Sequence, residues 1–283
     1  MIRTIFVPLA EGLSSQPLLD AALLVARRTK SHIRAIFIRP EPETALAYMP
    51  DVIIAAGATR EAIERASREV AAAEKARFEA WQAVNNLPGV EGVRLDSCFA
   101  TWADRVGEIE TEVARFGRVS DLIVLQRVAP GRIMALRCFD AAVFESGRPA
   151  LLVTEKLPFD IVDHVMIAWN GSLEASRAVL GAMPLLHLAN RVSIFAAPQY
   201  DAESVDPDDL AEALSWHGIR AHMIATPGSE SSTGEALVDT ATRHRATLIV
   251  MGAYTHSRLR QRFLGGVTEH LLAHAPVPLL MTH

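Results

Sequence analysis

Gly252, Gly265 and Gly266, with Thr255, Thr268 and three arginines nearby, have the residue types and spacing to hold a phosphate. The run Leu248-Ile249-Val250-Met251-Gly252 is continuously apolar and reads as a buried strand of a parallel sheet. Gly265-Gly266 opens a segment, Val267 to His274, that reads as a helix. At such a helix start the free backbone N–H groups point at an anion, and the helix dipole favours negative charge there. Glycine lets the backbone approach the anion without a Cβ in the way. Arg258, Arg260 and Arg262 lie in the intervening loop, where they either steer phosphate or form a solvated face.

Other candidate chemistries are thinner. His270 and His274 stand four apart on one helix, as metal ligands can, but no acidic residue lies between them and no third ligand suggests itself. We expect no metal site. Cys98, at a strand end beside Ser97, reads as an inert, partly buried thiol. Ser229 to Thr233 reads as a loop with a helix cap at Thr233. Residues 44–57, with Tyr48, Met49, Val52, Ile53 and Ile54, read as interface packing or as a lid over an apolar pocket.

The elements that must position these residues alternate strand and helix. Thr4–Leu9, His32–Ile38, Val93–Cys98, Asp121–Leu125 and Ala150–Thr154 read as strands. Between them, Gln16–Lys30, Thr59–Asn86, Trp102–Phe116 and Phe139–Ser146 read as helices. The order then recurs. His164–Ala168, Arg191–Ala196, Arg220–Ile224, Thr247–Met251 and Leu279–Thr282 are the second set of strands, with Ser172 capping the first helix between them. Residues repeat too: Arg148 to Thr154 answers Val277 to Thr282, and Leu122-Ile123-Val124 answers Leu248-Ile249-Val250.

This pattern implies an α/β fold of two tandem Rossmann-like domains, 1–157 and 158–283, joined by a linker at Lys156–Asp163. Each is expected to be a five-stranded parallel sheet with helices on both faces. Strand orders 2-1-3-4-5 and 3-2-1-4-5 are both open, and ligands in such sheets bind where the winding reverses. In the second order Trp169-Asn170-Gly171 comes beside Gly252 and Gly265-Gly266.

The formal charge of −5 and the scattered arginines argue against nucleic-acid binding. Two cysteines give no disulfide framework, and no apolar run approaches the ~20 residues that span a bilayer. Met1 leads directly into a strand rather than a signal peptide. A cytoplasmic chain without a membrane partner is expected. No Walker-type loop, pyrophosphate loop or placed nucleophile with a base is visible, so no catalytic residue is assigned.

In these residues the chain resembles the universal stress protein family in its tandem form, a branch of the wider HUP fold group. Nucleotide-binding members carry a glycine, two residues, a glycine, nine residues, a glycine and then serine or threonine. Gly252 and Gly265 match the first and third glycines, Thr255 replaces the second, Gly266 stands at the hydroxyl position, and Thr268 matches a second hydroxyl position. Asn170 occupies the place usually held by an aspartate. The resemblance implies an ATP or AMP site in the C-terminal half formed by Ala168, Trp169, Asn170, Gly171, Gly252, Thr255, His256, Gly265, Gly266, Val267 and Thr268. In the first half Gln126 replaces the first glycine and Arg127–Asp140 keeps only Gly131, so that copy of the site is expected to be lost. The resemblance further implies a stress-response binding protein rather than an enzyme, with any ATP hydrolysis weak and incidental. Protein partners are expected, and a homodimer is open. The last strands of the two halves, Ala150–Thr154 and Leu279–Thr282, are expected to pair as a pseudo-dimer within the chain. The alternatives are an interaction module that binds no nucleotide and a binder of a small apolar ligand under residues 44–57.

Overall fold

A computed structural model describes residues 1–44, 59–88, 97–196, 205–224, 232–253 and 266–283. The first half runs β1 (Thr4–Leu9), α1 (Ser15–Thr29), β2 (His32–Arg39), α2 (Arg60–Val84), β3 (Phe99–Val106), α3 (Ile109–Gly117), β4 (Leu122–Gln126), α4 (Ile133–Asp140) and β5 (Ala150–Val153). The second runs β6 (His164–Trp169), α5 (Leu173–Leu186), β7 (Arg191–Ala196), α6 (Pro207–Trp216), β8 (Ala221–Ile224), α7 (Thr233–Arg243), β9 (Leu248–Gly252), α8 (Gly266–His274) and β10 (Leu279–Thr282).

The strands form one ten-stranded sheet in the order β3-β2-β1-β4-β5-β10-β9-β6-β7-β8. Each half therefore has the 3-2-1-4-5 order, and the open choice is resolved in its favour. Every strand pair is parallel except β5 with β10, which run antiparallel with Leu280 opposite Leu151. The expected internal pairing of the two last strands is thus present. The two halves share a hydrogen-bonded seam that covers what would otherwise be two open edges.

Alternation along the strands explains the layers. Leu122 and Val124 of β4 and Leu248 and Val250 of β9 point to one face, with apolar residues of α1, α2, α5 and α6. Ile123, Leu125, Ile249 and Met251 point to the other, with α3, α4, α7 and α8. Strands buried on both faces must be apolar at every position, which is why they read as unbroken runs. Each fully buried leucine or isoleucine contributes roughly 1.5–3 kcal/mol. The linker joins this core, since Ile161 and Val162 are buried.

Three expectations are corrected. Trp102 to Val106 belong to β3, not to a helix: Ala35 lies opposite Trp102, whose ring stacks near Phe37, and the helix begins only after Gly107. A helix already starts at Ile133, within the stretch read as a lost loop, and Ala141–Glu145 continue it as a π-helical turn. Ser232, not Thr233, caps α7, in a reciprocal capping box with Glu235. The reading of Val93 to Asp96 and that of residues 45–57 fall outside the described residues.

Candidate functional site

The winding of the second half reverses between β6 and β9, which pair directly with Ala168 opposite Met251. Their carboxyl ends are therefore adjacent, and the chain turns away from β6 through Trp169, Asn170 and Gly171. Gly171 has φ of +70°, the left-handed region that favours glycine. Asn170 Oδ1 accepts from the Ser172 hydroxyl at 2.8 Å and from its amide at 3.3 Å. Ser172 Oγ in turn accepts from the Ala175 amide at 3.1 Å, which caps α5. Asn170 thus sets the turn that aims the start of α5 at the crevice.

Gly252 ends β9 against that same helix start. A Cβ there would lie 2.6 Å from the Ala175 nitrogen and 2.6 Å from the Glu174 carbonyl carbon. Only glycine fits, so this glycine is required by packing whether or not a ligand is bound. The next residue, Ala253, has both backbone groups engaged. Its N–H donates to Thr282 O at 2.9 Å, and its carbonyl lies 3.0 Å from His283 Nδ1.

Gly266 opens α8, and among the described residues a Cβ there would meet nothing within 4 Å. Val267 follows it half-buried, and Thr268 is buried on the inner side of the helix. Trp169 is also buried, with its indole N–H donating to the Val205 carbonyl at 2.9 Å, so its ring serves as wall. The structure brings Ala168, Trp169, Asn170, Gly171 and Gly252 together around one strand junction. Thr255, His256 and Gly265, with Arg258, Arg260 and Arg262, lie outside the described residues.

The first half shows what replaces a glycine at this position. Gln126 ends β4 as Gly252 ends β9, and its Oε1 accepts from the Ser14 amide at the start of α1, at 2.9 Å. A side chain of the protein occupies the amide that an anion would use. Ser14 itself makes no side-chain cap bond to α1.

The remaining candidates are the two thiols and the histidine pair of α8. Burial pushes the Cys98 thiol up to about 11 and the Cys138 thiol to about 12, far from the thiolate form. The His270 and His274 rings stack 4.4 Å apart, with His274 Nδ1 3.0 Å from the His270 carbonyl. Sequence reasoning passed over the role of Gln126; the only signal for it is the side-chain amide in place of a strand-end glycine.

Residues 162–283 match the family model described as the universal stress protein family. Over the whole chain the fold is similar to that of a universal stress protein from Archaeoglobus fulgidus DSM 4304, at TM-score 0.67 and 16% identity, covering 98% of this chain and 95% of that one. It is similar also to a putative universal stress protein from Pseudomonas aeruginosa UCBPP-PA14, at TM-score 0.53 and 15% identity, covering 99% and 93%. No curated protein matches the chain in sequence. Among the described residues no helix is long and apolar enough to cross a membrane.

Proposed function

Residues 162–283 belong to the universal stress protein family, and on that premise we propose that the chain is a stress-response binding protein with an adenine-nucleotide site, for ATP or AMP, in its C-terminal half. The observation that carries this is the pairing of β6 with β9 at the winding reversal, which sets the turn at Asn170-Gly171 beside Gly252 at the end of β9. Gly252 presents no side chain at the end of β9, where a phosphate can approach backbone amide groups. Gly266, exposed at the start of α8, adds a helix N-terminus for the same anion. The first domain, 1–157, is a degenerate copy with Gln126 in the crevice, and the second is 158–283. The chain acts in the cytoplasm by binding ligand and protein partners, not by catalysis.

The test is calorimetry of stripped, purified protein with ATP, ADP and AMP. Saturable heat supports the reading, and no heat at millimolar nucleotide rules it out. One observation favours a second reading, a scaffold that holds no nucleotide: the Asn170 side chain and both backbone groups of Ala253 are already committed to protein partners.

A further inference from the structure

A cavity of about 410 Å³ lies where the two halves meet, beside the start of α1. Because β10 runs antiparallel to β5, with Leu279 opposite Leu152, the segment leading into β10 lies next to the end of β5. Ala273, Ala275 and Pro276 of the second half therefore wall a cavity whose other side is the loop after β4 and the chain after β5. Arg127 crosses between them. Its amide donates to the Val153 carbonyl at 2.8 Å, and its Nη1 donates to the Ala275 carbonyl just past α8.

The guanidinium is half-buried, and among the described residues no carboxylate forms an ion pair with it; burial alone lowers its pKa. A cation withdrawn from water without a counter-ion is costly, and an arriving anion offsets that cost. Arg132 and Lys156 also line the cavity, and among the described residues Glu155 is its one acidic residue. Three cations against one carboxylate leave an excess of two positive charges, the charge of a phosphate monoester above its second pKa of about 6. The volume exceeds what a bare phosphate needs and falls in the range of small-molecule sites, about 300–1,000 Å³.

We propose that this junction cavity binds a phosphoryl group, free or carried by a small molecule, with Arg127 as its anchor and Arg132 and Lys156 as flanking charges. Arg127 has further N–H donors beyond the one given to Ala275, in a planar fork that suits phosphate oxygens. The site differs from the crevice of the second half. There the residue after the strand end is Ala253, which has no side chain to reach across.

Titrations of the full chain with inorganic phosphate, ribose 5-phosphate and ribose test the proposal by calorimetry and thermal shift. The expected result is binding of ribose 5-phosphate and none of ribose. Tighter binding of the sugar phosphate than of inorganic phosphate identifies a phosphorylated metabolite as the source; equal binding identifies free phosphate. The double variant Arg132→Ala/Lys156→Ala, on exposed positions, should weaken both by about tenfold or more at an unchanged urea midpoint. Arg127→Lys keeps the charge, loses the fork and should weaken binding likewise. No binding at millimolar phosphate, or affinity unchanged in both variants, overturns the proposal. ATP heat that persists in the Arg132→Ala/Lys156→Ala variant reports the crevice of the second half, and phosphate heat lost in that variant reports this cavity, so the two readings fail separately.

Discussion

Gly252 and Ala175 touch backbone to backbone: a Cβ on the first would sit 2.6 Å from the amide nitrogen of the second. That contact locks the end of β9 to the first turn of α5. Gly252→Ala should therefore destabilise the chain by the roughly 1–3 kcal/mol typical of forced overpacking. Urea unfolding checks this, and a midpoint equal to that of the parent would show that the strand end has room to move.

Gln126→Ala tests the opposite arrangement in the first half. Removing the acceptor for the Ser14 amide should cost about 1 kcal/mol, because one hydrogen bond is lost at a half-buried site. The loss should appear in urea unfolding while nucleotide heat stays as in the parent.

Among the described residues none comes within 4 Å of a Cβ placed at Gly266, so Gly266→Ser introduces a hydroxyl without a clash against them. If the nucleotide reading holds, the added donor should tighten ATP binding by about tenfold, the worth of one hydrogen bond to a charged group. Unchanged or weaker affinity in calorimetry would separate α8 from the phosphates.

Acid should weaken the fold in two stages. His164 is buried, its Nε2 2.8 Å from Ser193 Oγ, and burial followed by the Arg191 charge lowers its pKa below the ordinary 6.5. The unfolded chain then takes up the proton first, so stability falls as pH drops through about 6.5 and levels below the folded pKa. Asp121 accepts from the Arg3 and Thr4 amides and the Thr4 hydroxyl. Burial opposes its ionisation, but these bonds and Arg148 outweigh burial and hold its pKa below 3.8. Its contribution is present above that value and is lost as pH falls through the lower, folded pKa. Urea midpoints from pH 8 to 3 follow both stages, and His164→Asn should shrink the upper one, leaving the share of His32, whose pKa burial and then the Arg34 charge also lower.

A chain of residues 158–283 alone would expose the edge of β10, whose four residues are all buried in the parent. Two copies are expected to pair β10 against β10, restoring an antiparallel seam. Light scattering should give a dimer at micromolar concentration. A stable monomer would show that the edge needs no cover.

The repeat and the layers were legible because strands buried on both faces cannot hide their apolar runs, as Leu248 to Met251 shows. Strand ends and helix starts were less so. Trp102 and Val106 carry strand propensity, yet the polar Thr101, Asp104 and Arg105 among them blur the run at the edge of the sheet. Gly252 was legible as a strand-end glycine, but nothing in the spacing shows that the backbone of Glu174 and Ala175 already demands a glycine there. Nor does spacing reveal that the Asn170 side chain is committed to Ser172, or that Gln126 reaches Ser14, since both depend on which groups the folded turn brings within 3 Å.

The antiparallel seam between β5 and β10 has a geometric result for the whole molecule. Strand direction flips at that line, so the crevice of the second half and the closed crevice of the first face opposite rims of the sheet. Whatever docks at one rim leaves the other accessible. The two rims are joined through the hydrogen-bonded backbone of the seam, which lies between them.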